Sequence, residues 1–214
     1  MKITIKKGLD IPVVGAIKKS EPMTINSIPS SFLMSEPYYA QFKFKMFIKV
    51  GDRVVAGQIL AKDKIANRAI VSPYTCIVKD IVRGERRCLV GFELVSIQVD
   101  YPKLPTFDVS EASEAMVLND LSDTGFLFHI KRRPFGIYPH PTQKPEAIFI
   151  HCVESGPLSL DFSVLIKGNE IFFKEALRVL NRLNTPIHIV CRPDDEKIIE
   201  AMTQGIPCNI HTAS

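Results

Sequence analysis

Residues 42–89 carry the pattern that most restricts what this chain can fold into. Apolar side chains alternate with lysines over residues 42–50, which is the two-residue period of a β-strand with one buried face. Phe47 alone breaks that alternation. Gly51-Asp52 and Gly57-Gln58 predict turns, because glycine accepts positive φ and aspartate hydrogen-bonds nearby backbone. The stretch therefore predicts a compact β-unit with little room for a helix.

The same stretch resembles the barrel-sandwich fold of biotinyl and lipoyl carrier domains. It contains V-G-D-x-V-x-x-G-Q-x-L from Val50 to Leu60, followed by a Ser72-Pro73 turn. In those domains a lysine at a hairpin tip carries the cofactor, but Lys62 and Lys64 follow Leu60 too closely for the usual spacing. Met-Lys-Met is also absent. A plain solvated lysine is the favoured interpretation, and a carrier role for Lys64 stays as the alternative.

A series of motifs, taken in order, resembles a family that covers nearly the whole chain: the A subunit of the sodium-translocating NADH:quinone oxidoreductase (Na+-NQR), a six-subunit bacterial respiratory pump. Those motifs are Lys7-Gly8-Leu9-Asp10-Ile11-Pro12, Asp63-Lys64, Ser72-Pro73, Arg83-Gly84, Thr124-Gly125-Phe126, Arg133-Pro134-Phe135, Pro145 to Ile150, and Gly156-Pro157-Leu158. Cys76 departs from the glycine that is usual there. Because family members are more than twice as long, the resemblance implies an N-terminal fragment.

Two domains are expected, in an α+β or α/β chain. Residues 1–104 predict the barrel-sandwich β domain, with its core at 40–100. Residues 105–214 predict a Rossmann-like α/β domain, which the resemblance relates to the flavin subunit of complex I and implies to be truncated at its C-terminus. The prolines within 101–105 predict the boundary, because proline removes a ladder donor and favours extended linkers.

Beyond the boundary the hydrophobic period changes to an α/β pattern. Ser110 is predicted to cap a helix to residue 121, and a second helix over 169–183 has one apolar face, formed by Phe173, Leu177, Leu180 and Leu183. A third helix is predicted from Asp194 or Asp195 to Met202, ended by Gly205. Strands are predicted at 147–153, 186–191 and 206–210. Strand-helix-strand-helix-strand is half of a doubly wound sheet.

The second domain lacks the sequence that dinucleotide and flavin sites need. No G-x-G-x-x-G or Walker A motif occurs. The resemblance extends to the flavin subunit of complex I and to the C subunit of the Rnf complex, whose Gly-rich flavin loop corresponds to residues 124–134. Bulky side chains fill that stretch here, so we expect a flavin-domain scaffold without a flavin, and no cofactor on this chain. A flavin- or NADH-binding subunit of those two types is the alternative.

The resemblance implies a peripheral subunit associated with quinone and with the B subunit in the membrane. Ubiquinone or menaquinone needs apolar walls and donors to its carbonyl oxygens. The candidate quinone or partner residues are Phe128, His129, Arg132, Arg133 and Phe135, with Tyr38 and Tyr39 as a second wall. The competing interpretation packs Phe126 and Phe128 in the core, pairs the two arginines with carboxylates and makes His129 structural.

Other functions find little support in the sequence. No G-x-S-x-G or H-E-x-x-H motif occurs, and the histidines never fall at i, i+4 on one helix, so we expect no catalytic or metal site. Cys152 follows His151, but neighbours in a strand point to opposite faces. Five cysteines without a C-x-x-C pair predict buried free thiols. The chain alone is not expected to be a complete enzyme.

Charge and hydropathy are those expected of a soluble chain in the cytoplasm. Residues 1–100 contain 16 Lys/Arg and 9 Asp/Glu, which suits either anionic headgroups or an acidic partner, or an ordinary soluble surface. Nucleic-acid binding is not expected, because Arg83, Arg86 and Arg87 lack interleaved aromatics. No apolar run approaches a membrane span or a signal peptide. The resemblance implies a location at the cytoplasmic face of the bacterial inner membrane, with membrane contact through partners only.

Overall fold

A computed structural model describes residues 2–3, 29–36, 38–98, 108–153, 156 and 161–213. The chain divides into two compact units. One comprises residues 1–24, 109–117 and 144–214, and is called the α/β unit below; the other comprises 25–108 and 118–143, and is called the β-unit. The predicted boundary at 101–105, the opening motif from Lys7, and Pro157-Leu158 lie outside the described residues.

The β-unit contains two antiparallel sheets around one apolar core. The first sheet has the strand order β2-β8-β7-β4, and the second has the order β3-β5-β6. The strands are β2 (Ser31–Ser35), β3 (Phe44–Met46), β4 (Arg53–Val54), β5 (Ile59–Asp63), β6 (Ala69–Val71), β7 (Thr75–Arg83) and β8 (Leu89–Gln98). The core includes Val54, Leu60, Val78, Phe92 and Leu94, all fully buried. The sequence prediction of a compact β-unit is confirmed.

The predicted alternation holds over a shorter stretch than expected. Phe44 and Met46 pack against the core and Ile48 is buried, whereas Phe47 is 51% exposed on the side of the lysines, with its ring centre 5.2 Å from Lys45 Nζ. Phe47 therefore continues the alternation with an apolar residue on the solvent side. Val50 was expected inside and is 59% exposed, because the chain has already entered the turn at Gly51, which has φ 90°.

The structure also shows where the Cys76 side chain lies and which unit contains residues 118–143. Cys76 lies within β7 and is fully buried, so its side chain is accommodated by the core and not by the Ser72-Pro73 turn. Residues 118–143 belong to the β-unit, because Leu127, Phe128 and Tyr138 are buried and the latter two join its core. The predicted single boundary after residue 104 stays a prediction.

The α/β unit is built on a parallel sheet in the order β1-β11-β10-β9. Its strands are β1 (Lys2–Ile3), β9 (Ile148–His151), β10 (Ile187–Cys191) and β11 (Asn209–Ala213). Its helices include α2 (Phe162–Ile166), α3 (Glu170–Asn181) and α4 (Glu196–Thr203). The run β9-α3-β10-α4-β11 has the predicted Rossmann-like connectivity, and Leu177, Ile187, Ile189 and Ile199 form its buried centre.

The largest differences between the observed and the predicted helix and strand limits occur at two places. Helix α1 (Glu114–Asp123) begins after Ser113, whose Oγ accepts a hydrogen bond from the Met116 N–H at 3.3 Å, so Ser113 caps the helix in place of Ser110. The last strand begins at Asn209 and not at Ile206, because Ile206 packs in the core and Pro207 has no N–H for a ladder.

Candidate functional site

The turn between β5 and β6 is organised around the Asp63 carboxylate. Oδ1 accepts the backbone N–H groups of Ile65 and Ala66 at 2.9 and 2.8 Å. Oδ2 accepts the Arg68 backbone N–H at 3.2 Å and the Arg68 Nε at 2.8 Å. Burial alone raises the pKa of Asp63, but these hydrogen bonds and the Arg68 charge outweigh it and hold the pKa below its ordinary value. The carboxylate is therefore ionised, and each of its oxygens accepts two hydrogen bonds within the turn.

Arg68 extends this turn to a distant part of the chain. Its Nη1 donates to the carbonyl oxygens of Tyr138 and Pro139, both at 3.2 Å. The guanidinium carbon lies 4.7 Å from the ring centre of Phe42 and 5.4 Å from that of Phe128. The buried cation therefore contacts aromatic rings and is held by a carboxylate and two carbonyls. Arg68 is a structural anchor for residues 138 and 139.

An aromatic cluster surrounds that anchor. Phe128 and Tyr138 have ring centres 5.0 Å apart at an interplanar angle of 75°, and Tyr39 lies 5.5 Å from Phe128 at 81°. Edge-to-face pairs of this kind stabilise beyond the area that they bury. Burial raises the pKa of Tyr39 to about 12, with a smaller contribution from the Glu36 charge. Tyr39 is therefore a neutral core residue over the whole physiological range.

Lys131 lies at the edge of the aromatic cluster. Its Nζ is 3.5 Å from the ring centre of Tyr138 and 4.3 Å from that of Tyr38. The carboxylate of Glu36 is 3.7 Å away, and it accepts a hydrogen bond from the Tyr138 hydroxyl at 2.7 Å. Burial, followed by that hydrogen bond, raises the pKa of Tyr138. Within the described part of the chain, the Lys131 ammonium is buried without a hydrogen bond. It is a donor that an incoming oxygen can satisfy.

The seven residues predicted to face quinone or a partner differ in their exposure to solvent. Phe128 and Tyr39 are 5% and 7% exposed and belong to the core. Tyr38 is partly exposed beside Tyr138. The exposed remainder is His129, Arg132, Arg133 and Phe135. As a quinone or partner site, the seven residues remain a prediction.

Two expectations for their neighbours are corrected. Phe126, expected in the core, is 51% exposed, because it begins a one-turn 3-10 helix (Phe126–His129) whose other positions supply the buried Leu127 and Phe128. Arg132 donates to the Gln143 amide oxygen at 2.8 Å, and no carboxylate of the described residues pairs with it. The sequence analysis did not single out Lys131 and Tyr138. The only sequence signal for them is the neighbouring run of aromatic and basic residues.

Lys64, the alternative carrier lysine, is exposed at the turn between β5 and β6. Its backbone N–H donates to the Lys43 carbonyl at 2.8 Å, which closes the turn against the preceding segment. A side chain at an exposed hairpin turn is accessible, but the turn itself is fixed by Asp63. Attachment of a group to Lys64 stays a prediction.

The α/β unit contains a cleft and a histidine pair outside those predictions. A shallow cleft of about 590 Å³ lies between α3 and α4, and it is lined by Glu170, Ile171, Lys174, Lys197, Ile198, Ala201 and Met202. His188 Nδ1 and His211 Nε2 are 2.9 Å apart on neighbouring strands. The two ring centres are 5.2 Å apart and the ring planes meet at 24°. Both nitrogens therefore lie near the line that joins the ring centres, which is the geometry of an N–H···N hydrogen bond.

Cysteine and metal expectations can be compared with the described residues. Cys152 is buried, as predicted, and burial raises its pKa to about 12, with smaller contributions from Cys191 and Asp195. Cys76 and Cys191 are buried as well, whereas Cys88 and Cys208 are half-buried. Among the described residues, no group of three or more His, Cys, Asp or Glu side chains is arranged to hold a metal ion.

Two family models account for the fold that these residues build. The NqrA N-terminal barrel-sandwich hybrid domain matches residues 3–100, and the NqrA second alpha/beta domain matches residues 112–212. The chain belongs to the NqrA family. The first matched segment contains all strands of the two antiparallel sheets, and the second contains α1 to α4 with β9, β10 and most of β11. This confirms the predicted fold class and the resemblance.

Individual relatives agree with the family models. A protein of Psychromonas ingrahamii, named as the A subunit of a Na(+)-translocating NADH-quinone reductase, is 32% identical over 199 residues, covering 89% of this chain and 43% of that protein. Proteins of the same name from Haemophilus influenzae (29%, 95% of this chain, 46% of that protein) and Actinobacillus pleuropneumoniae (31%, 99% and 49%) are similar. The chain spans about half the length of these curated relatives.

No helix within the described residues is long and apolar enough to cross a membrane.

Proposed function

We propose that this chain acts as a peripheral subunit of a sodium-translocating NADH:quinone oxidoreductase, contributing scaffold and quinone-side contacts without a redox cofactor of its own. The relatives' shared name, which specifies the A subunit of such a reductase, supports the assignment. The B subunit in the membrane is the proposed chief partner, at the cytoplasmic face of the bacterial inner membrane. Ubiquinone or menaquinone is the proposed ligand, as a substrate of the complex.

The observation that carries the quinone-side part is the buried Lys131 ammonium, which makes no hydrogen bond within the described part of the chain. A quinone carbonyl oxygen is a hydrogen-bond acceptor, and its flat ring fits against aromatic faces. Tyr38 and Tyr138 already flank the ammonium, and Tyr38 is 43% exposed. A rotamer change of Tyr38 would admit a quinone ring to the ammonium.

Photolabelling with an azidoquinone tests this role. The reagent is applied to the purified protein with and without excess ubiquinone, and labelled peptides are identified by mass spectrometry. We expect competed labelling on the peptides that carry Tyr38 and Lys131. The Lys131→Met variant keeps a long apolar side chain but loses the donor, so labelling should fall at least severalfold. Lys79→Met is the control, because Lys79 pairs with Glu93 on an exposed part of the β-unit. Equal competed labelling in all three proteins would contradict the proposal.

The absence of a flavin is supported by side-chain volume. Leu127 and Phe128 occupy the stretch that corresponds to the Gly-rich flavin loop, and they are only 2% and 5% exposed. A flavin phosphate would need exposed backbone N–H groups in this stretch. The two buried side chains occupy that space. A flavin-binding function of the complex I or Rnf type predicts a yellow protein that releases flavin on denaturation. A colourless protein with the mass calculated from its sequence is the result expected here.

The carrier alternative keeps one supporting observation, the exposed turn position of Lys64. Its test is the intact mass of protein isolated from its own host under denaturing conditions. A covalent increment on the peptide containing Lys64 would establish a carrier. An unmodified mass leaves the peripheral-subunit function as the one supported.

A further inference from the structure

Residues 130–138 form a small hairpin whose tip is aromatic. The Arg132 N–H donates to the Ile137 carbonyl at 2.7 Å and the Gly136 N–H donates to the Arg132 carbonyl at 2.9 Å, which closes a tight turn. Gly136 has φ 66°, a backbone conformation that glycine adopts without strain. Phe135 lies within this turn and is 74% exposed. Ile137 beside it is 47% exposed.

The charge of this segment has one sign. Residues 124–143 contain Lys131, Arg132 and Arg133 and no aspartate or glutamate. Lys131 faces the Glu36 carboxylate at 3.7 Å, so its charge is partly balanced. Arg132 hydrogen-bonds the neutral Gln143, and Arg133 is exposed. The hairpin therefore presents an apolar aromatic ring together with two guanidinium groups whose charge no carboxylate of the segment balances.

We infer that this hairpin docks on an anionic phospholipid surface, with Phe135 entering the headgroup region and Arg132 and Arg133 contacting lipid phosphates. An aromatic ring is favoured at the boundary between headgroups and acyl chains, and basic residues add attraction to anionic lipids. A stable protein interface buries roughly 800 Å² per partner, which is more than the exposed side chains of Phe135 and Ile137 provide. A bilayer requires no such area, because one inserted ring and two cations suffice for weak, reversible contact. The chain thereby contacts the membrane directly and not only through partner subunits.

The absence of tryptophan makes this inference directly testable. A Phe135→Trp variant carries a single tryptophan at the hairpin tip. A Phe149→Trp variant is the matched control, because Phe149 is an exposed phenylalanine, at 62%, of the α/β unit. Each variant is mixed with vesicles of phosphatidylcholine alone or of phosphatidylcholine with phosphatidylglycerol, and tryptophan emission and acrylamide quenching are recorded.

We expect a blue shift and reduced quenching only for Phe135→Trp and only with the anionic vesicles, reversed by high salt. In co-sedimentation, Arg133→Gln should weaken vesicle binding about fivefold, because one basic residue near an anionic surface contributes about that factor. Phe135→Ser should weaken it about tenfold. Circular dichroism checks that each variant keeps its fold. We expect this result because the substituted residues are exposed.

Three outcomes would overturn the inference. One is no blue shift of the Phe135→Trp variant at any concentration of anionic vesicles. Another is an equal shift for Phe149→Trp, which indicates non-specific adsorption. The third is a shift produced by a partner subunit in detergent but not by lipid, which would make the hairpin a protein-docking element. None of these readouts involves quinone, so the inference and the proposed function can fail separately.

Discussion

Arg68 Nε donates to Asp63 Oδ2 at 2.8 Å while the two side chains are only 6% and 1% exposed. The pair joins the turn between β5 and β6 to residues 138 and 139, because Arg68 also donates to the Tyr138 and Pro139 carbonyls. Residues 118–143 are thereby held on the β-unit. The position of Lys131 and of the hairpin consequently depends on a charge pair about 70 residues earlier in the chain.

Replacing Arg68 by Gln should destabilise the β-unit strongly. The substitution leaves a buried carboxylate without its cation and removes two hydrogen bonds to carbonyls. Loss of one partner of a buried pair costs about 3 to 5 kcal/mol. Urea unfolding measures the free energy. Lys79→Gln, which breaks the exposed pair with Glu93, should cost less than about 1 kcal/mol. A similar small cost for both variants would show that the buried pair is not an anchor.

The lowered pKa of Asp63 predicts a stability change in acid. An aspartate in the unfolded chain titrates at about pH 3.9. Since the folded pKa lies lower, the unfolded state binds the proton first, and the stabilisation present above pH 3.9 is lost as the pH falls through the folded pKa. As the pH falls below about pH 5, the free energy of unfolding of the wild type should therefore decrease more steeply than that of Asp63→Asn, with most of the difference arising below about pH 3.9. Parallel curves would contradict the assignment.

Thiol chemistry tests the burial of the cysteines. Cys88 and Cys208 are half-buried, whereas Cys76, Cys152 and Cys191 are buried. Burial raises the pKa of Cys152 to about 12 and also raises that of Cys191, so neither forms the reactive thiolate near pH 8. We expect Cys88 and Cys208 to react with a maleimide in the native protein, and the other three only after unfolding. Peptide mapping identifies the sites, and rapid native labelling of Cys152 would disagree with the described fold.

The apolar face of α3 makes a separate prediction for the α/β unit. Leu177 is 1% exposed and packs in the buried centre, so Leu177→Ala should lower the free energy of unfolding by about 2 to 5 kcal/mol. Ile171 lies on the same helix but is 65% exposed, and Ile171→Ala should change it by no more than about 0.5 kcal/mol. Thermal unfolding of the two variants distinguishes them. A larger effect at Ile171 would mean that this outer face is covered in the native protein.

Periodicity predicted those parts of the fold that depend on local pattern. The helix over 169–183 is predictable because Phe173, Leu177 and Leu180 recur on one face, and all three pack in the core of the α/β unit. The last strand was misplaced because Ile206 is as apolar as a strand residue, and only the missing N–H of Pro207 argued against a ladder there. In the same way, Ser110 and Ser113 are equally good caps by composition, and only the hydrogen bond from the Met116 N–H to Ser113 Oγ identifies Ser113.

The candidate site was less accessible to sequence reasoning, for a physical reason. Lys131 becomes distinctive through Glu36 and Tyr38, which lie more than ninety residues earlier in the chain. Phe126 and Phe128 have identical side chains, yet one is exposed and one is in the core, because a 3-10 turn separates their directions. Such differences follow from tertiary contacts and leave no periodic signal.

The most direct test of the proposed function is purification of this chain, carrying an affinity tag, from the membranes of its own host after mild detergent extraction. NADH:quinone reductase activity of the eluate is measured with and without sodium. The account predicts that the chain elutes with the other subunits and with a sodium-stimulated reductase. Elution of the chain without reductase activity, while that activity remains in the untagged fraction, would contradict it.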